Sequence, residues 1–261
     1  MKKSLEFFGE LLEKATDSEY LEKRMDMNKK FQLYDFAQWS IEQIKPKEGD
    51  RTLEVGCGRG TQAIPLSSII GNKGELTLID LSKESVKHVI HCVQEKTKTR
   101  GIQGSMDNIA ILLGPASETY NLIYSVYALY YANNPTNVLN EMFNRLIVGG
   151  SLCIIGPDGP HGLVELARKF HSIPPQVDNC FQFRSKVLEP FFKKNFSKFK
   201  ISFLKNPQTI TTISQFIDFY RQTTYHNKNA ENKLQLFVEK QLNEHGEIKF
   251  DKYSYALAAE K

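Results

Sequence analysis

The chain of 261 residues has room for one embellished α/β domain or two small ones, and 41% hydrophobic with 25% charged residues suits a globular chain with a sizeable core. A net charge of +4 is small and spread out; the densest basic cluster, Lys193, Lys194, Lys198 and Lys200, reads as a solvated face rather than a nucleic-acid footprint. The cysteines, Cys57, Cys92, Cys153 and Cys180, lie far apart with no C-x-x-C pair, which gives no metal-ligand spacing, no disulfide framework, and an expectation of a reducing cytoplasm. Glu6 and Glu10 interrupt the early apolar segment, and no uncharged run approaches the ~20 residues of a membrane span, so a soluble protein without signal peptide or membrane partner is expected.

Residues 1–46 read as an N-terminal helical cap. Phe7, Phe8, Leu11 and Leu12 share one face, and Phe31, Tyr34, Phe36, Trp39 and Ile41 mark a second amphipathic segment. A turn over residues 45–50 precedes the first strand, at 52–55, with its helix at about 60–70. The second strand spans 76–79, and Ser82 caps a helix over 83–97. A third strand is expected at 109–113, ending in Gly114-Pro115, and a fourth at 120–125. A helix at 135–146 leads through Gly149-Gly150 to a fifth strand at 151–155. Short apolar strands alternating with helices imply a parallel, doubly wound sheet with right-handed crossovers. Beyond it, helices are expected at 163–172, 185–194, 214–222 and 230–244, with strands at 198–204 and 250–257.

The most informative segment is Leu53-Glu54-Val55-Gly56-Cys57-Gly58-Arg59-Gly60: an apolar strand carrying an acid, then a turn with glycines at alternate positions. Only glycine takes positive φ without steric cost and lets a ligand lie against the backbone. A second strand ends in Asp80, 20 positions after Gly60, where a carboxylate suits a ribose diol because each oxygen can accept one hydroxyl proton. The alternative is a tight turn in another kind of α/β protein. The G-x-G-x-G spacing departs from the dinucleotide G-x-G-x-x-G.

At these residues the chain resembles the Rossmann-like, class I S-adenosylmethionine-dependent methyltransferases, whose first motif reads E/D-x-G-x-G-x-G. Residues 140–150, ending in Gly149-Gly150, resemble the family's E-x-x-R-x-L-K-P-G-G, with Asn144 at the usual Arg position and Ile147-Val148 for Lys-Pro. The resemblance implies a mostly parallel seven-stranded sheet with an antiparallel last strand, a methyltransferase domain over 47–261 with its core at 50–160, and helical insertions at 161–195 and 213–245 on the acceptor side. It also implies S-adenosylmethionine as cofactor, S-adenosylhomocysteine as product, and no metal. The cofactor residues would be Glu54 near the amino group, the turn Gly56, Cys57, Gly58 and Gly60, Asp80 on the ribose, and Leu81, Ala116 and Ser125. Relatives carry Asp where this chain has Pro115, so adenine would rely on backbone near Ala116 and on Leu81, with Asp107 or Ser117 as alternative polar contacts.

The acceptor rim offers Ser125, Tyr127, Tyr130 and Tyr131 after the fourth strand, and Asp158 and His161 after the fifth. Tyr127 and Tyr130 are expected to bind or orient the acceptor, unless they only fill an apolar rim. His161 is the titratable candidate for a general base, its alternative being a loop histidine opening the next helix. No Asn/Asp-Pro-Pro-Tyr motif and no Pro-Cys pair follow the fourth strand, which points to a small-molecule acceptor methylated at O, N or C. An RNA or protein methyltransferase, or a cofactor-binding subunit without turnover, are the other readings, and monomer or homodimer stays undecided.

Overall fold

The computed structural model describes residues 17–159 and 161–261. The helical face of Phe7, Phe8, Leu11 and Leu12 lies outside the described residues. In chain order the elements are α1 (Ser18–Phe31), α2 (Phe36–Ile44), β1 (Arg51–Val55), α3 (Ala63–Ile70), β2 (Glu75–Asp80), α4 (Lys83–Val93), β3 (Lys98–Gln103), α5 (Ile109–Leu113), β4 (Tyr120–Val126), α6 (Pro135–Asn144) and β5 (Leu146–Pro157). There follow α7 (Gly162–Arg168), α8 (Pro175–Phe183), α9 (Glu189–Asn195), β6 (Phe199–Ile210), α10 (Ile213–Arg221), α11 (Lys228–His245) and β7 (Ile248–Glu260). Ser82 caps α4 as expected, its side chain accepting from the Ser85 N–H, and Thr212 with Gln215 forms a full capping box on α10.

The seven strands form one sheet in the order β3-β2-β1-β4-β5-β7-β6. β1 pairs in parallel with β2 and β4, β2 with β3, and β4 with β5. β7 is antiparallel: Gly149 donates to the Lys261 carbonyl and Asp158 to the Tyr253 carbonyl, so the chain number rises on β5 as it falls on β7. The expected fold class is therefore the observed one, with β7 between β5 and β6. The strand order reverses between β1 and β4, which makes the carboxyl ends of those strands the topological switch point where ligands bind in such sheets.

One expectation fails. Residues 109–113 form the short helix α5, and the third strand is Lys98–Gln103. Five consecutive apolar residues fit a buried strand or a helical turn equally well. Here Ile109 and Leu113, four apart, are buried while Ile111 is 81% exposed, a helical periodicity. The true strand is polar because it is a sheet edge with exposed Lys98, Arg100 and Gln103.

The chain divides into two compact units. One comprises Ala37–Gly156, Phe183–Phe203 and Tyr255–Lys261; its core joins strand residues such as Leu53, Ile79, Ile123 and Ile154 to Leu139 and Met142 of α6 and Phe191 and Phe192 of α9. The other comprises the described part of Met1–Phe36, Pro157–Gln182 and Leu204–Ser254, with a core of Phe31, Leu163, Ile210, Phe216, Tyr220, Leu234 and Phe250.

Candidate functional site

β1 is buried from Thr52 to Val55 and hands the chain to the glycine turn at the switch point. Gly56, Gly58 and Gly60 have φ of +81°, +49° and +81°, the region that side chains resist. Space is a second demand at Gly56: a Cβ there would stand 2.3 Å from the Ala128 Cβ, so the turn meets the loop after β4 through bare backbone. The N–H groups of Gly56 and Cys57 both donate to the Ile79 carbonyl, at 2.7 and 3.2 Å, which binds the turn to the end of β2.

Asp80 closes β2 and organises the turn. Its Oδ2 accepts from the Gly58 N–H and its Oδ1 from the Ser82 N–H, both at 2.8 Å. Burial pushes this carboxyl above its ordinary range, against the opposing pull of those N–H groups. With the Leu81 N–H also pulling on this carboxylate, it still keeps acceptor capacity for a hydroxyl donor. Glu54 is fully buried, and its Oε2 has no hydrogen-bond partner; nor does the buried Tyr124 hydroxyl beside it. Desolvation raises Glu54 well above the carboxylate range; the Tyr124 hydroxyl beside it opposes that shift, and the nearby charge of Asp80 adds to it.

β3 delivers the loop Gly104-Ser105-Met106-Asp107. Gly104 donates to the Asp80 carbonyl at 2.9 Å. Asp107 accepts from the backbone N–H groups of Asn133 and Asn134, at 3.2 and 3.0 Å, and from the Asn133 amide at 3.0 Å. It therefore ties the loop after β3 to the one after β4. From sequence only Asp107 of this loop is singled out, as an alternative polar contact, because the apolar run 109–113 draws the third strand away from Lys98–Gln103; a glycine followed by Ser-x-Asp is nonetheless a turn signal. Ala116, expected in the cofactor site, belongs elsewhere. It precedes β4, in the segment whose Gly114, Pro115 and Glu118 carbonyls accept from the buried Arg145 guanidinium, at the amino ends of the parallel strands. β4, parallel to β1, runs from this segment toward the glycine-turn end of the sheet, which puts Ala116 and Pro115 at the opposite end.

Leu81 is 40% exposed beside Asp80, available to an apolar ligand face. The Ser125 hydroxyl donates to the Val55 carbonyl at 2.7 Å, which locks β4 to β1 just below the turn. Tyr127 follows β4 with φ of +55°, a strained conformation for a bulky side chain, while its N–H donates to the Ile155 carbonyl at 2.8 Å. Its ring meets Tyr130 edge-on at 6.5 Å; Tyr130 in turn packs against Tyr131 at 4.6 Å and Phe183 at 6.2 Å. An aromatic group thus stands beside the loop that abuts Gly56.

His161 lies in the other compact unit. Its Nδ1 accepts from the Tyr253 N–H at 3.2 Å, and its ring packs edge-on against Phe181. Burial, with the charge of Lys252, holds its pKa down to about 3. An imidazole this hard to protonate weighs against a general base working near neutrality. Burial also pushes the thiols of Cys57, Cys153 and Cys180 up, the last two to about 12, so none is a ready thiolate. Among the described residues no group of three or more His, Cys, Asp or Glu could hold a metal ion, and no helix is long and apolar enough to cross a membrane.

Residues 46–195 match the family model described as "Methyltransferase domain". Among curated relatives, the chain is 24% identical over 111 residues to the probable cobalt-precorrin-6B C(15)-methyltransferase (decarboxylating) of Saccharolobus solfataricus, over 42% of this chain and 44% of that protein. It is 21% identical over 152 residues to the ubiquinone/menaquinone biosynthesis C-methyltransferase UbiE of Shewanella sediminis, over 57% of this chain and 55% of the relative. The chain spans about half the length of these curated relatives. A solved putative methyltransferase from Bacillus halodurans superposes with a TM-score of 0.58 at 13% identity, over 87% of this chain and 98% of that one, which is a likeness of fold. With a family model matching more than half its residues, a glycine turn flanked by the acids Glu54 and Asp80, and the 3-2-1-4-5-7-6 sheet, the chain belongs to the methyltransferase-domain family of the class I, Rossmann-like kind.

Proposed function

We propose that this protein transfers a methyl group from S-adenosylmethionine to a small-molecule acceptor. One observation carries the reading: a buried carboxyl, Glu54, and a partly buried one, Asp80, flank a positive-φ glycine turn, and Glu54 keeps an oxygen without a hydrogen bond. The cofactor's cationic amino group is the partner that such an oxygen lacks, and it would draw Glu54 back toward the carboxylate form. The ribose diol fits the spare lone pairs of Asp80, and the adenine face would lie on Leu81 and the Gly104–Met106 loop. When bound, the cofactor supplies an electrophilic methyl on a sulfonium for in-line displacement. Tyr127 and Tyr130 would hold the acceptor in line, and positioning alone contributes on the order of 7–11 kcal/mol in the best intramolecular cases.

A small acceptor is favoured by the aromatic group at the lip of the turn, where Tyr127 is held in a strained conformation. Calorimetry with S-adenosylhomocysteine tests the cofactor reading: wild type binds, and Asp80→Ala weakens binding at least ~10-fold, since hydrogen bonds to a charged group are worth about 1.5–3 kcal/mol. Asp80→Asn, which keeps one acceptor oxygen, should lose less. No binding by wild type, or equal affinity in all three proteins, would overturn it. Transfer of a labelled methyl to a panel of small phenols, amines and carbon acids, but not to bulk RNA or protein, would settle the acceptor class.

A further inference from the structure

Beside Glu54 stands a second buried polar group, the hydroxyl of Tyr124. β1 and β4 pair in parallel, with Thr52, Leu53 and Glu54 opposite Leu122, Ile123 and Tyr124. Residues opposite each other in such a pair project from the same face, on strands about 4.8 Å apart. Both side chains are fully buried, and neither the Tyr124 hydroxyl nor Glu54 Oε2 makes a hydrogen bond among the described residues. We infer that Tyr124 is a positioning residue of the cofactor's ammonium site: its hydroxyl donates to Glu54 when that carboxyl ionises, so that each cofactor bound displaces one proton to water. That the incoming cation is the cofactor's amino group rests on the methyl-transfer reading; the pairing of Tyr124 with Glu54 does not.

Packing alone does not account for a phenol here. Its predecessors on β4 are Leu122 and Ile123, and a buried hydroxyl left unsatisfied costs about 1–3 kcal/mol that a Phe would not incur. The neutral acid beside it is likewise unsatisfied at Oε2. The two become complementary once Glu54 loses its proton, because a carboxylate only accepts and a phenol can donate. The phenol remains a donor throughout: burial pushes it well above its usual range, and the charge of Glu54 adds to that. The other titratable groups near Glu54 are Cys57 and Asp80. Burial, then the charges of Glu54 and Asp80, push Cys57 well up, so it stays a thiol. Asp80 is raised by burial too, but N–H groups of Ser82 and Gly58 donate to its two oxygens and favour its carboxylate. The displaced proton therefore leaves from Glu54. The carboxylate keeps the electron pair and pairs with the ammonium, which stays protonated. Because binding selects the ionised form, affinity rises about tenfold per pH unit until the pH passes the folded pKa of Glu54, and is level above it.

S-adenosylhomocysteine is the probe, titrated by calorimetry into the full chain across a pH series, in buffers of differing protonation heat. Wild type should release about one proton per ligand at the acid end, where the affinity is still rising. Glu54→Gln should abolish both the release and the rise. Tyr124→Phe, which removes a hydroxyl that lacks a partner and so should fold, is expected to weaken the levelled affinity at least ~10-fold, the scale of one hydrogen bond to a charged group. It should also move the levelling to higher pH. Added to Glu54→Gln, the same substitution should change affinity less than about 2-fold. In the ligand-free chain, NMR of 13C-labelled glutamate carboxyls follows Glu54 directly, its signal identified by loss in Glu54→Gln, and Tyr124→Phe should raise its titration point. An unmoved titration, or equal weakening by Tyr124→Phe with and without Glu54→Gln, overturns the pairing. Proton release that persists in Glu54→Gln overturns the displaced proton. If S-adenosylhomocysteine fails to bind wild type while Tyr124→Phe still raises the Glu54 titration, the methyl-transfer reading falls and the pairing stands.

Discussion

A carboxyl group enclosed in protein, with an oxygen that nothing hydrogen-bonds, is more stable as the neutral acid, and Glu54 is such a group. Its folded pKa lies above the unfolded value of about 4.3. Below that value Glu54 is protonated in both states; as pH rises above it the unfolded state loses the proton first, and stability falls until the folded pKa is passed. Glu54→Gln lacks this titration. Thermal melts of the ligand-free proteins should therefore show the variant gaining on wild type between pH 5 and pH 8, while its affinity for S-adenosylhomocysteine drops about 10-fold. Parallel pH slopes for the two proteins would contradict the assignment. Glu54, Asp80 and the glycines stand out in the sequence because they sit at the carboxyl ends of the short apolar strands β1 and β2 at a characteristic spacing. The environment of His161 does not, because the Tyr253 N–H that occupies its Nδ1 comes from 92 positions away.

At the scale of elements, the sheet order was legible as far as alternation could carry it, and β3 was the exception. An edge strand needs no continuous apolar run, so Lys98–Gln103 carries little hydrophobic signal, whereas the α5 turn, packed on the core, carries a strong one. With the third strand at Lys98–Gln103, the loop that follows it is Gly104-Ser105-Met106-Asp107, and Ala116 and Pro115 stand before β4 instead. The segment they occupy has a structural task. Arg145, at the end of α6 and 2% exposed, donates to the Gly114, Pro115 and Glu118 carbonyls at 2.8, 3.1 and 3.3 Å. Arg145→Met would leave three carbonyls short of a donor and should lower stability by about 2–4 kcal/mol in urea melts, with S-adenosylhomocysteine affinity per folded molecule unchanged. A loss of affinity without a loss of stability would place this segment in the site after all.

For the molecule as a whole, a ligand that binds the folded chain alone stabilises it by mass action, about 2.7 kcal/mol at a hundredfold excess over Kd. At roughly 2–4 °C per kcal/mol for a chain of this size, saturating S-adenosylhomocysteine should raise the melting temperature by about 5–10 °C, and Asp80→Ala should abolish most of that rise. The sequence by itself determined the fold class and the glycine turn with the acids Glu54 and Asp80 beside it, because strand periodicity, positive φ and carboxylate chemistry are properties of short segments. Only the tertiary structure decided which loop follows the third strand, that a Glu54 oxygen lacks a hydrogen bond, that Tyr127 is strained, and that Lys252 of β7 reaches Asn28 of α1. Those facts depend on desolvation and on contacts between residues far apart in the chain, for which no local pattern exists.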